Sequence, residues 1–182
     1  LNKVEELVAK EVRARNDFIK QEELERRAEI VSLAALKFYI LSVNPLTKIK
    51  FNPKESISFN GKTGPYLLYS YARLKSILKK TNLKSNDNLD YSLLKDSATW
   101  QLVWVVAKFP DAVLDSANGL DPEEIASYLY DLATKISDFY HNVRVLEADP
   151  VEKKLRIAVI KSALEVMEKG LGLLGIDVLE EM

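Results

Sequence analysis

Two stretches of the chain begin in the same way, Asp121-Pro122-Glu123-Glu124 and Asp149-Pro150-Val151-Glu152. An aspartate before a helix accepts hydrogen bonds from the free amides of its first turn. Proline at the first helical position loses no donor the helix needs, and a glutamate there meets the positive end of the helix dipole. Behind the first start, Ile125, Tyr128, Leu129, Leu132, Ile136, Phe139 and Tyr140 keep helical spacing to about Leu146. Behind the second, Leu155, Ile157, Ala158, Ile160, Leu164 and Val166 do so up to the glycines at 170 and 172, and Gly175 interrupts what remains. Two long amphipathic helices need partners of the same kind, so the expected class is all-α, a helical bundle.

The rest of the chain fits that expectation. Residues 1 to 44 read as two helices, the first with Val4, Leu7, Val8 and Val12 on one face and Asn2 as its cap, Asn16-Asp17 leaving its end open. The second runs from about Gln21 to Val43 and is dense in apolar residues from Ile30 to Leu41, until Pro45 ends it. Leu46 to Phe59 holds two short alternating pieces around Asn52-Pro53 and is expected to be a short extended connector with basic side chains on one side. Thr81 to Leu89 is the most loop-like stretch. Asp90 to Ala107 reads as a further helix, broken by Phe109-Pro110, and Asp111 to Ala117 as a short one stopped at Asn118-Gly119.

Between the connector and that loop lies Phe59 to Lys80, where function is most legible. Asn60-Gly61-Lys62 is a turn, Thr63 a cap, and Gly64-Pro65 a first helical turn. Leu67, Tyr71, Leu74 and Leu78 then form one buried stripe. Tyr66, Tyr69, Arg73 and Lys80 fall on a neighbouring stripe, which aligns two phenol rings, a guanidinium and an ammonium. Such a surface can stack on bases and pair with phosphates. Aromatic residues at helical spacing also serve simply as packing, and the stripe alone does not decide between the two.

Composition removes several alternatives. The chain has no cysteine and a single histidine, His141, so a disulfide framework, a thiolate site, a histidine-based zinc site or a Ser/His/Asp triad has little material. Beside Phe139 and Tyr140, His141 reads as a satisfied surface residue rather than a ligand. Asp87/Asp90 and Glu123/Glu124 are the nearest approach to paired catalytic carboxylates, but the first pair sits in a loop and the second is a helix start. No catalytic residue and no metal ligand is expected. No apolar run approaches membrane-spanning length and the start is not a signal peptide, so a cytoplasmic protein without membrane contact is expected. The net charge of −1 conceals segregation. Lys37 to Lys84 holds ten basic residues against Glu55 alone, while Ser85 to Glu152 holds thirteen acidic against four basic. One polyanion-facing side is one reading of that asymmetry, and a solvated basic face is the other.

The run Gly61-x-Thr63-Gly64-Pro65-Tyr66-Leu67-x-Tyr69-x-x-Ala72-Arg73 resembles the signature that joins the catalytic domain of arginyl-tRNA synthetases to their anticodon-binding domain. Phe139-Tyr140-His141-Asn142-Val143-Arg144-Val145-Leu146, Leu155-Arg156, and Gly170-Leu171-x-Leu173-Leu174-Gly175-Ile176 with a terminal methionine resemble the last helices of that family's DALR-type domain. Cysteinyl and some glycyl enzymes carry related domains, and the Thr-Gly-Pro-Tyr string favours the arginyl family. Where the family usually has an arginine before the last methionine, this chain has Glu181.

The resemblance implies that residues 1–58 are the end of a catalytic region with a helical connector, and that residues 59–182 form an all-helical anticodon-binding domain. It implies a piece of a longer enzyme, which agrees with Leu1 standing where no initiator methionine does. The His-Ile-Gly-His and Lys-Met-Ser-Lys signatures for ATP are absent, so ATP and Mg²⁺ would belong to the parent enzyme and the fragment would not aminoacylate by itself. The implied partners are the anticodon stem-loop of tRNA(Arg) and the catalytic domain of the same chain, with no role for DNA. The implied contact residues are Tyr66, Tyr69, Arg73, Lys80, Arg144, Arg156 and Met182. A helical adaptor that binds protein helices in a groove is the alternative from another class.

Overall fold

The computed structural model describes residues 1–15, 18–81 and 89–182, and among these it is all-helical with no strand. The elements are α1 (Asn2–Arg15), α2 (Gln21–Leu41), α3 (Pro53–Ser56), α4 (Gly64–Lys79), a 3₁₀ turn (Tyr91–Leu93), α5 (Ser97–Ala107), α6 (Phe109–Gly119), α7 (Glu123–Asn142) and α8 (Pro150–Leu173). Asn16-Asp17 and most of the expected loop after Lys80 lie outside the described residues.

The start at Asp149-Pro150 forms as the sequence requires, whereas α7 begins one residue later than expected, with Pro122 in the cap position and Asp121 just ahead of it. Asp149 Oδ1 accepts from the amides of Val151 and Glu152 at 2.9 and 3.2 Å, and Asp121 Oδ1 accepts from Glu123 at 2.9 Å. Behind them, Leu129, Leu132, Ile136 and Phe139 of α7 and Ile160, Ala163, Met167 and Leu171 of α8 are fully buried. Each such side chain contributes about 1.5–3 kcal/mol by leaving water, so this pair of helices is the spine of the core. Gly170 lets them approach closely where they touch. A Cβ there would lie 2.6 Å from Leu129 Cδ2.

α4 packs on α2, α7 and α8 with Leu67, Leu68, Tyr71, Leu74 and Ile77 inward. Its first turn presses against α2 so closely that a Cβ on Gly64 would stand 2.2 Å from the Ala34 carbonyl oxygen. Thr63 caps this turn by accepting from Tyr66 N at 3.3 Å. The Tyr71 hydroxyl leaves the core at its far edge and donates to a Glu168 carboxylate oxygen at 2.9 Å. α1 closes the other side of α2 through Val4, Val8 and Val12.

α4 and α7 run parallel, because Tyr66 meets Tyr130 and Ala133 while Arg73 meets Tyr140 two to three turns on. α5 runs antiparallel along the other flank of α7, where the Tyr128 hydroxyl donates to Val105 O at 3.0 Å and Lys135 to Gln101 at 2.9 Å. Three parallel or antiparallel helices thus place one flank of α7 against α4 and the other against α5.

Several local expectations are corrected. The connector is not extended throughout, since Asn52-Pro53 starts a helical turn rather than breaking a strand. Asn52 accepts from Lys54 N at 3.1 Å and Pro53 takes a first-turn position, which is the Asp-Pro logic with asparagine. Asn2 lies inside α1, whose first bonds run back to Leu1 O. The expected helix from Asp90 is split, and α5 begins only after Asp96, which accepts from the amide and hydroxyl of Thr99, each at 2.7 Å. Phe109-Pro110 starts α6 at once instead of separating it, and α6 ends on Leu120, a non-glycine residue at φ +50° held by Asp121 N to Ser116 O and Ser116 Oγ to Asp121 O. Finally, α7 stops at Asn142, four residues before the expected end, and α2 at Leu41.

Candidate nucleic-acid interface

On α4 the buried set occupies most of the helix circumference, and the arc left over carries Tyr69, Arg73, Ser76 and Lys80. Arg73 is the centre of this arc. Its guanidinium carbon lies 4.3 Å from the ring centroid of Tyr69, one turn before it, and 4.8 Å from that of Tyr140 on α7. Phe59, ahead of the helix, meets Tyr69 edge-on at 6.4 Å. Two aromatic rings with a cation between them form a partly exposed platform, and Tyr140 keeps 40% of its surface open. Guanidinium planes and phenol rings are the surfaces on which unpaired bases stack.

The neighbouring side chains extend the platform. His141 sits with its ring 5.8 Å from Tyr140, and its Nδ1 lies 2.8 Å from the Ser137 carbonyl oxygen, which marks Nδ1 as the protonated nitrogen and leaves Nε2 outward. Lys80 lies two turns past Arg73 on the same arc and is exposed. Lys62 reaches from the loop before α4 to Ser127 Oγ at 3.1 Å, tying that loop to α7.

The other expected contact residues divide. Tyr66 turns toward α7, its ring 5.9 Å from Tyr130 and its hydroxyl donating to Ala133 O at 3.4 Å, so it works mainly as a wedge between the helices. Arg144 follows α7 with its side chain 84% exposed, paired with Glu147 at 2.9 Å. Arg156 is engaged within the fold, donating to Arg144 O at 3.2 Å and pairing with Glu152 at 3.1 Å, and so holds the turn that presents Arg144. Met182 is partly buried against the core. The structure therefore joins Tyr69 and Arg73 with a residue that sequence reasoning placed among apolar helix positions, Tyr140. The signal for it was its place one residue beyond the buried Phe139, at the edge of the α7 stripe and with a polar tip.

Two tyrosine hydroxyls belong to the scaffold rather than the surface. Burial pushes the Tyr128 hydroxyl well above its ordinary pKa, with Asp131 adding to it, and burial followed by the Glu168 bond raises Tyr71. Both stay protonated donors at neutral pH. Among the described residues no three His, Cys, Asp or Glu side chains converge as a metal site, and no helix is long and apolar enough to cross a membrane.

An all-helical bundle with an exposed aromatic and cationic platform on its surface offers a place where unpaired bases can stack. The family model for the DALR anticodon binding domain matches residues 67–182. An arginine–tRNA ligase of Parabacteroides distasonis is 35% identical over 170 residues, which are 91% of this chain and 28% of that protein. One of Bacteroides fragilis is 38% identical over the same shares. Among solved structures, the Thermus thermophilus arginyl-tRNA synthetase superposes with a TM-score of 0.90 at 31% identity, covering 100% of this chain and 31% of that one. The chain belongs to the arginyl-tRNA synthetase family and carries its DALR-type helical domain. It spans about 28% of the length of the relatives it matches. These matches lend the helical-adaptor alternative no support.

Proposed function

We propose that this chain binds the anticodon stem-loop of tRNA(Arg) and that Tyr69, Arg73 and Tyr140 form its reading platform. The observation that carries this is the guanidinium of Arg73 stacked between two partly exposed phenol rings of different helices. Anticodon bases splayed from the loop stack on these planes, while Lys80 and Arg144 face phosphates. Tyr66 and Arg156 act by holding α4 against α7 and the turn after α7. The choice of RNA over DNA rests on the similarity to arginine–tRNA ligases, since bases of either nucleic acid would stack on such a platform.

In this reading the whole enzyme ligates arginine to tRNA in the cytoplasm with ATP and Mg²⁺. That chemistry falls to a catalytic region joined to this domain through residues 1–58. The domain's contribution is to select and orient the tRNA. The test is binding of the chain to transcribed arginine tRNA, to a copy with its anticodon loop replaced, and to a non-cognate tRNA, across a range of salt. Preference for the arginine loop that persists as salt rises supports the reading. Equal binding to all three, vanishing with salt, would reduce the interaction to charge attraction.

A further inference from the structure

Around α4 from the platform lies a second cationic surface that the proposed reading does not use. Lys75 and Lys79 project from α4 toward Arg27 of α2, and Glu180 and Glu181 lie over them. Glu180 meets Lys75 at 3.3 Å and Lys79 at 3.4 Å, and Glu181 meets Lys79 at 2.7 Å and Arg27 at 3.5 Å. Arg27, Lys79, Glu180 and Glu181, together with Glu23, Arg26 and Val178, line a groove of about 360 Å³, and Lys75 stands beside it through its pair with Glu180.

The acidic pair is placed on this surface rather than built into the core. Leu179 before it is buried at 1% exposure and anchors the segment, but the Glu180 and Glu181 side chains remain 57% and 62% exposed. Exposed ion pairs of this kind hold weakly and exchange readily for another anion. The cations are better fixed. The Arg27 side chain is only 12% exposed and bonds Glu23 at 2.6 Å, and the Lys75 ammonium lies 5.4 Å from the Tyr71 ring centroid. Fixed cations covered by loosely held carboxylates are a phosphate site occupied by the protein's own anions.

The groove is also within reach of the platform. Lys79 and Lys80 are consecutive at the end of α4, about 100° apart around the helix, so a backbone leaving Lys80 meets Lys79 next and Lys75 one turn back. We infer that Arg27, Lys75 and Lys79 form a second RNA-phosphate strip, which Glu180 and Glu181 cover in the free protein and yield to the RNA backbone on binding. The inference rests on the proposed anticodon reading for the direction from which the RNA arrives. Its consequence is a charge filter. A ligand that also engages the platform displaces the carboxylates, whereas a polyanion without loop bases meets a neutralised surface.

The test uses the whole chain with Glu180→Gln and Glu181→Gln together, and an RNA hairpin carrying the arginine anticodon arm beside one with a replaced loop. Removing the competing carboxylates is expected to tighten binding of both hairpins roughly 5- to 10-fold at low salt and to steepen the salt slope by about two, since uncovered cations then release counterions. Adding Lys75→Gln and Lys79→Gln is expected to abolish that gain. Unchanged affinity and slope in a double variant with unchanged thermal unfolding would overturn the inference. So would weaker binding with lowered thermal stability, which would make the pair a structural staple, and single Glu181→Gln then repeats the comparison with a smaller perturbation. If the gain appears but the wild-type chain shows no preference between the hairpins, the strip stands and the anticodon reading fails.

Discussion

Arg73 of α4 stacks on Tyr140 of α7, its guanidinium carbon 4.8 Å from the ring centroid, and the same guanidinium lies 4.3 Å from Tyr69. The platform therefore exists only because α4 and α7 run parallel and in register, and its geometry depends on a planar cation. Arg73→Lys keeps the charge but loses the plane. It is expected to weaken binding of the arginine anticodon arm roughly 5- to 100-fold, the loss of one stacking station, while binding of a loop-replaced arm changes little. Equilibrium titration of both arms measures this. Equal losses on the two arms would mean that Arg73 acts as a simple phosphate contact.

The two tyrosine stripes of α4 are expected to separate by phenotype. Tyr71 is buried, with its hydroxyl donating to Glu168. Tyr71→Phe removes the hydroxyl with its bond to Glu168 but keeps the ring beside Lys75, and is expected to lower stability by about 0.5–1.5 kcal/mol in denaturant unfolding, with loop preference unchanged. A fall in loop preference in this variant would show that the stripes are not independent.

Gly64 belongs to the motif that announces the helix, and its role is steric. A Cβ placed 2.2 Å from the Ala34 carbonyl oxygen meets backbone on both sides, so neither helix can give way by turning a side chain. Gly64→Ala is expected to destabilise the chain by about 1–3 kcal/mol and to loosen α4 from α2, visible as faster amide exchange at the start of α4. An unchanged unfolding midpoint would place the helices farther apart than described.

Acid is expected to weaken the ion pairs within α2 and those that hold the C-terminal residues over α2 and α4. Hydrogen bonds from Arg26 and Arg27 hold the Glu23 carboxyl at about 2, below its ordinary 4.5. Because its folded value is depressed, the stabilisation is complete above about 4.5 and is lost as pH falls toward 2. Lys75 lowers Glu180 and Lys79 lowers Glu181 in the same direction. The unfolding midpoint should fall across that acid range, and Glu23→Gln should flatten the fall. A wild-type midpoint that stays level from pH 5 to pH 3 would contradict the pairing.

Much of this was legible in the residues because it was local. Asp121-Pro122 and Asp149-Pro150 state their helix starts outright, and the Thr63 cap with Gly64-Pro65 states a third. What was misread depended on context. Asn52-Pro53 and Asp96-Ser97-Ala98-Thr99 are the same kind of signal, but neither is followed by a long amphipathic stripe, so the residues alone point to an extended connector and to an earlier start for α5. Tyr69 and Arg73 share one helix and could be paired by spacing. Tyr140 lies 67 positions from Arg73, and only the parallel packing of α4 on α7 brings it there. Arg144 and Arg156 looked alike in sequence, and the hydrogen bond from Arg156 to the Arg144 carbonyl is what separates a scaffold residue from an exposed one. The cover of Glu180 and Glu181 over Lys75 and Lys79 is likewise a contact between segments about a hundred residues apart.

The central claim is that a platform shared by α4 and α7 reads the anticodon loop, and Tyr140→Ala tests it most directly. The measurement is the ratio of affinities for arginine tRNA and for its loop-replaced copy, at one salt concentration, in the wild-type chain and the variant. The account predicts that the ratio falls roughly 5- to 100-fold, that affinity for the loop-replaced copy is unchanged, and that the salt slope is the same. An unchanged ratio in a folded Tyr140→Ala chain would contradict it.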